Sequence, residues 1–252
     1  LERVRGGPSR AARDILPELS SVSTACVWLA AVLAVMPRPG DEPVLIELAH
    51  APEPEVRRAI AYLLAQVRTP AVIAALVPLL ADELTRDEAT QALVLCGADG
   101  LAAIVRALQD DRTPTTLAWH LPRALTGFPP ERAAGVLLAR MQGARDGMVR
   151  YRCLRALERL VALDGSLVID GRALRSEVDE TVRRAVWCLS RRVALSRAAA
   201  DEPALASATH ALMVDLLADK ERHAIDRLLR LLGLWVRSGD LAHVRRGLSS
   251  GD

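Results

Sequence analysis

The sequence predicts an all-α protein, a right-handed α-α superhelix of about ten to twelve antiparallel helices. Three observations carry that expectation. Apolar residues make up 51% of the chain and aromatics only 3%, so the core must be built from Leu, Ala and Val, which suits close-packed helices better than a sandwich of strands. The stretch APEPEVRRAIAYLLAQVRTPAVIAALVPLLAD, Ala51 to Asp82, sets two apolar helical patterns on either side of a Thr-Pro break. The same order of parts then returns about every 30 residues.

Within that stretch, Val56, Ile60, Leu63, Leu64 and Val67 recur at helical spacing and mark the core face of a helix over 54–67. Pro54 suits its first turn, and Glu53 and Glu55 suit the positive end of its dipole. Thr69-Pro70 stops that helix and starts the next, in which Val72, Ile73, Leu76, Val77, Leu79 and Leu80 are apolar. Such short, apolar helices must bury their faces against neighbours. The neighbours follow as helices over 84–97, 100–111, 113–126, 130–143 and 146–163, and an earlier pair over roughly 9–20 and 23–36. The second helices begin near 54, 84, 113 and 146, with Pro, Gly or Asp at the breaks. That periodicity is the mark of an α-solenoid.

After residue 163 the repeat fades. A loop over 164–171 leads to a long helix, then PALASATHALMVDLLADK and ERHAIDRLLRLLGLWVRSGD read as two more helices, followed by a short LAHVRRGLSS. The expected organisation is therefore hairpin repeats over 1–163 and divergent helices over 164–252 that continue or cap them. The uncharged run from Ser20 to Pro37 is shorter and more polar than a spanning helix requires, and reads as a buried helix. Because the chain opens on Leu1, it is expected to be a piece of something longer.

The units in which Val-Arg opens the second helix (Val56-Arg57, Val149-Arg150) and Asp ends the first (Asp82, Asp110) resemble HEAT repeats. In that family the Asp and Arg side chains hydrogen-bond along the stack. The resemblance implies a structural ladder of Asp82, Asp110, Asp146, Arg57, Arg86 and Arg150. Across about residues 140–250, VRYRCLRALERL, the loop near Val168-Asp170, a long helix and IDRLLRLLGL followed by GLSS occur in an order similar to the HEAT region of bacterial ATP/ADP-translocase-related, MFS-like membrane proteins. That resemblance implies a cytoplasmic solenoid tethered at the inner membrane to a transporter-like domain, in some cases near a cyclic-nucleotide-binding module.

Catalytic and cofactor chemistry is not signalled. There is no GxxxxGK[ST], GxGxxG, HExxH or GxSxG. His50, His120, His210, His223 and His243 are isolated, and Cys26, Cys96, Cys153 and Cys188 are scattered through apolar helical contexts, as buried small hydrophobes would be. Trp28, Trp119, Trp187 and Trp235 are expected in the core or at a groove edge. No catalytic residue, cofactor site or metal site is expected.

Charge is more informative. Residues 1–122 carry 11 basic and 15 acidic side chains, 123–199 carry 15 and 8, and 200–252 carry 7 and 8. Arg152, Arg155, Arg159, Arg183, Arg184, Arg191 and Arg192 recur at helical spacing in the basic middle. They are either a solvated face or a surface for an acidic protein segment or an anionic membrane leaflet. The expected function is a non-catalytic interaction scaffold with a protein or membrane-domain partner. Two other classes stay open: a nucleic-acid-binding protein of the HEAT-like DNA-glycosylase type, tested by a salt-dependent gel shift, and a HEAT-like bilin lyase, tested by pigment transfer. A small-molecule substrate is not expected.

Overall fold

The computed structural model describes residues 23–35, 41–201 and 207–236. Among these the chain is helical throughout, with no strand. The expected helix over 9–20 and the terminal LAHVRRGLSS lie outside the described residues. The chain divides into two compact units, Leu1–Arg140 and Met141–Asp252. The change of sequence pattern at residue 163 falls within the second.

In the first unit the helices are α1 (Ser23–Val35), α2 (Glu42–Ala49), α3 (Pro54–Val67), α4 (Pro70–Leu76), α5 (Arg86–Leu95), α6 (Ala98–Gln109), α7 (Thr115–Ala118) and α8 (Leu121–Leu125), with α9 (Pro130–Gly143) crossing the boundary at Arg140. A short 3-10 turn, Pro78–Ala81, extends α4. The helices stack in two rows: α1, α3 and α5 pack in succession, as do α2, α4 and α6, and each of these six also packs on its chain neighbour among them. This is the stacked-hairpin architecture of an α-solenoid. The interior between the rows is small and aliphatic, with Leu45, Val56, Ile60, Leu64, Val72, Leu76, Leu80 and Ile104 wholly or almost wholly buried.

Local chemistry sets the breaks. Arg68 ends α3 in the left-handed conformation at φ 53°. The Thr69 hydroxyl then accepts from the Val72 N–H at 3.4 Å to start α4, with Pro70 in its first turn. Gly97, at φ 60° and ψ −125°, begins α6 in a conformation that a side chain would resist. At Gly100 a Cβ would lie 2.0 Å from the Leu93 carbonyl oxygen, so α5 and α6 approach as closely as they do only because no side chain intervenes.

The repeat also reads at the level of polar side chains. Thr85 and Thr113 each donate a hydroxyl to the carbonyl six residues back, Leu79 at 2.7 Å and Ala107 at 2.6 Å. Arg57 donates to the carbonyls of Ala51 and Pro52, and Arg86 to those of Leu80 and Ala81, again six and five residues back. Equivalent side chains thereby satisfy carbonyls left unpaired at helix ends and turns.

Two expectations about elements are corrected. The helix expected over 113–126 is broken into α7 and α8 at Trp119–His120, because Pro122 has no N–H to continue the ladder and its ring would press on the carbonyl of Ala118. Leu63, expected in the core, is only half-buried, whereas Ile60 and Leu64 are fully enclosed.

The second unit is built on α10 (Gly147–Leu163), α11 (Gly171–Asp201) and α12 (Ala208–Val236). α11 and α12 form a long hairpin, and α12 also packs on α10. The two helices expected over 203–240 are instead one over the described residues, Ala208–Val236, running unbroken through Lys220-Glu221. Val149, Cys153, Leu154, Leu157 and Leu160 of α10 are buried, with Leu174 and Cys188 of α11 and Leu231 and Leu234 of α12. All four cysteines are buried. No helix among the described residues is long and apolar enough to cross a membrane; α1 has 13 residues, with Cys26, Leu29 and Leu33 buried.

Candidate interaction site

The six ladder residues take differing parts. Asp82, Asp110 and Asp146 share a local role: each accepts from the N–H two residues on, Leu84 at 2.9 Å, Arg112 at 2.9 Å and Met148 at 2.7 Å. Each thus pins the turn entering its second helix, since an Asp side chain can imitate a backbone turn. Arg57 reaches Asp82 in the next hairpin. The Leu84 N–H and the Arg57 guanidinium hold the Asp82 carboxyl below its usual pKa. Arg86 extends instead to His120 Nε2 at 3.4 Å. Arg150 pairs with Glu177 of α11 at 3.1 Å rather than with an aspartate, both side chains being buried. Position 177 supplies its carboxylate from the second turn of the long helix, where no repeat pattern marks it.

The seven arginines proposed as a surface all belong to the second unit but do not form one open face. Arg155, on α10, leans toward Glu158 at 3.5 Å, and Arg159 is exposed nearby, while Arg152 is half-buried. Arg183 and Arg184 share Glu180, each at 2.8 Å; the Arg184 hydrogen bond is the main reason the Glu180 carboxyl titrates below its ordinary value. Arg191 lies over the Trp187 ring at 5.8 Å from its centroid. Arg192 is drawn away to Glu221 of α12 at 2.9 Å, an ion pair that staples the hairpin.

Arg183 and Arg184 open onto a cleft of about 670 Å³ formed by α10, α11 and α12. Its α11 wall presents positions 180, 184 and 187, one helical stripe, and its α12 wall presents 220, 223, 224 and 227, another. The stripes carry Lys220, His223 and Arg227 on α12 opposite Arg183, Arg184 and Trp187 on α11. Met148 and Tyr151 supply the α10 side. Trp187 is 56% exposed, and Trp28 and Trp235 are also largely exposed, so three of the four tryptophans depart from a core placement. Of these, Trp187 edges the cleft.

Lys220 and Arg227 were not singled out from the sequence. The signal was their spacing of seven, two turns along one face, and it was hidden by dividing α12 between Lys220 and Glu221. Among the described residues no group of three metal-ligating side chains is gathered. The arrangement offers charge, an aromatic edge and apolar surface, which are means of binding.

Residues 24–94 match a HEAT-repeat family model. The match covers α1 to α5, the part where Arg57, Asp82 and Thr85 make the repeated contacts. HEAT repeats are commonly protein-interaction scaffolds, and stacked helical repeats present extended binding surfaces. No curated protein matches the chain.

Proposed function

We propose that this chain is a non-catalytic interaction scaffold whose second unit docks an acidic segment of a partner protein. The observation that carries the reading is the cleft, where Arg183, Arg184, Lys220 and Arg227 share the lining with two carboxylates, Glu180 and Asp226. Opposite charge on the partner would be drawn in by that surplus, and Trp187 and Met148 would take an apolar residue beside it. The HEAT-repeat segment supports the scaffold part of the proposal, since such repeats typically mediate protein–protein contacts.

On the same proposal the chain is cytoplasmic and forms the HEAT region of a larger, transporter-like protein tethered at the inner membrane. The order of motifs over about residues 140–250 supports that version, and about a dozen hydrophobic spans in the surrounding reading frame would strengthen it.

The test is fluorescence anisotropy with a labelled peptide of alternating Asp, Glu, Ser and Leu. Binding should weaken between low and physiological salt and be lost when Arg155, Arg159, Arg184 and Arg191 are all changed to Glu. Binding that survives both changes would place the surface elsewhere. Capture by phosphatidylserine-containing vesicles with no affinity for the peptide would favour a membrane surface over a protein segment.

A further inference from the structure

The charges lining the cleft are not evenly compensated. Glu180 is occupied by Arg183 and Arg184. Asp226, which also lines the cleft, is engaged by Arg230 at 2.8 Å, and Arg230 is further held by Glu158 at 2.8 Å. Arg227 is left over. Its Nε is buried without a hydrogen-bond partner, and among the described residues Arg227 makes no ion pair. Burial, then the nearby Arg150 and Arg184 charges, disfavour its protonated form, and the Glu177 and Asp226 carboxylates offset that only in part. Thr181, only 1% exposed, lies on the α11 wall of the same cleft with its hydroxyl also unpartnered. Buried polar groups of this kind carry a cost unless something satisfies them.

Four cations against two carboxylates leave a surplus of two charges with His223 neutral. A carboxylate would cancel one. A phosphate monoester, close to dianionic at neutral pH, would cancel both, and its oxygens accept from several donors at once. Two guanidiniums and a hydroxyl are such donors, and the guanidinium fork suits phosphate geometry. The cleft volume of about 670 Å³ is far larger than a lone phosphate requires, so the remaining space beside Trp187 and Met148 is available to the body that carries it.

We propose that the cleft is a phosphopeptide site, in which Arg227, Arg184 and Thr181 receive a phosphoserine or phosphothreonine of the partner segment. This rests on the acidic-segment reading above and adds that phosphorylation regulates the contact. Arg227 then acts as the discriminating residue, and the outer arginines supply attraction that does not distinguish phosphorylated from unphosphorylated segments.

The experiment compares one acidic peptide with and without a single phosphoserine, by calorimetry on the full chain. Phosphorylation should tighten binding about tenfold or more. Arg227→Gln should remove most of the phosphate-dependent gain, weakening the phosphopeptide far more than its unmodified twin. Arg155→Glu with Arg159→Glu should weaken both peptides alike. Thr181→Val, which keeps the shape of the wall, provides a second variant if Arg227→Gln fails to fold by circular dichroism, and should reduce only the phosphate-dependent gain.

Equal affinity for the two peptides, or a gain untouched by Arg227→Gln and Thr181→Val, overturns the phosphate site while leaving the acidic-segment reading standing. If neither peptide binds, the decisive arm is inorganic phosphate against sulfate at matched ionic strength. Thermal stabilisation by phosphate that Arg227→Gln abolishes keeps the phosphate pocket and sinks the segment reading. No stabilisation sinks both.

Discussion

Changing Glu177 to Leu removes one charge from an ion pair whose side chains are only 5% and 6% exposed. Arg150 would then stay buried with its Nε already unpartnered, repelled by Arg227 and opposed only by Glu180, a carboxylate already shared by Arg183 and Arg184. Breaking a buried pair from one side costs about 3–5 kcal/mol, because the surviving charge has lost both water and partner. For a chain of this size each kcal/mol is worth about 2–4 °C, so the melting midpoint should fall by roughly 6–20 °C. The double variant Arg150→Met, Glu177→Leu removes both charges, fills similar volume with apolar atoms and relieves the repulsion on Arg227. It should recover most of the loss. Urea unfolding followed by helical circular dichroism, run on both single variants and the double, gives the coupling directly. If the two single effects simply add to that of the double within about 0.5 kcal/mol, Arg150 and Glu177 are not a buried pair and the packing of α10 on α11 is misassigned.

Three further perturbations test the first unit. Gly100→Ala forces a methyl against the Leu93 carbonyl oxygen, where the Cβ would stand at 2.0 Å, and should cost about 1–3 kcal/mol in urea unfolding; an unchanged midpoint would mean that α5 and α6 do not cross so closely. Leu64→Ala should cost about 2–5 kcal/mol and Leu63→Ala distinctly less, because Leu64 is fully buried and Leu63 only partly; the reverse order would put the core face of α3 one residue out of register. Asp82, whose carboxyl is held low by the Leu84 N–H and by Arg57, stabilises the fold most above the unfolded pKa of about 4 and loses that contribution as pH falls through the lower folded pKa. Asp82→Asn should therefore be less stable than wild type at pH 7, with the difference shrinking in acid; a gap that persists undiminished at pH 2 would show that the charge of Asp82 is not what matters.

The repeat was legible because it is written in local signals. Pro54, Thr69 and Pro70, and the aspartates at 82, 110 and 146 act within a few residues of themselves, so their meaning survives without knowledge of the fold. The pairing of the ladder was less legible. Arg57 meets Asp82, but Arg86 and Arg150, at the same register, find His120 and Glu177, because the partner is chosen by the next hairpin and the hairpins are not identical. Trp187 fits the groove-edge half of its expectation, since it is 56% exposed and borders the cleft.

The cleft was hidden by a single decision about continuity. A period near 30 invites a break between ADK and ERH, yet nothing there would cause one. LLADKERHAIDRLL contains no Pro or Gly, and most of its residues are good helix formers. The chain reinforces the segment with spaced charge pairs, Asp219 to Arg222 and His223, and Asp226 to Arg230. Arg192 to Glu221 then ties the disputed junction to α11. Once α12 is continuous, Lys220 and Arg227 fall on one stripe, and that stripe faces Arg184 and Trp187 across the cleft. Two separate helices would have scattered the same charges. Helix length therefore gathers the basic character of the second unit into a cleft, because it concentrates on one wall cations that composition only counts.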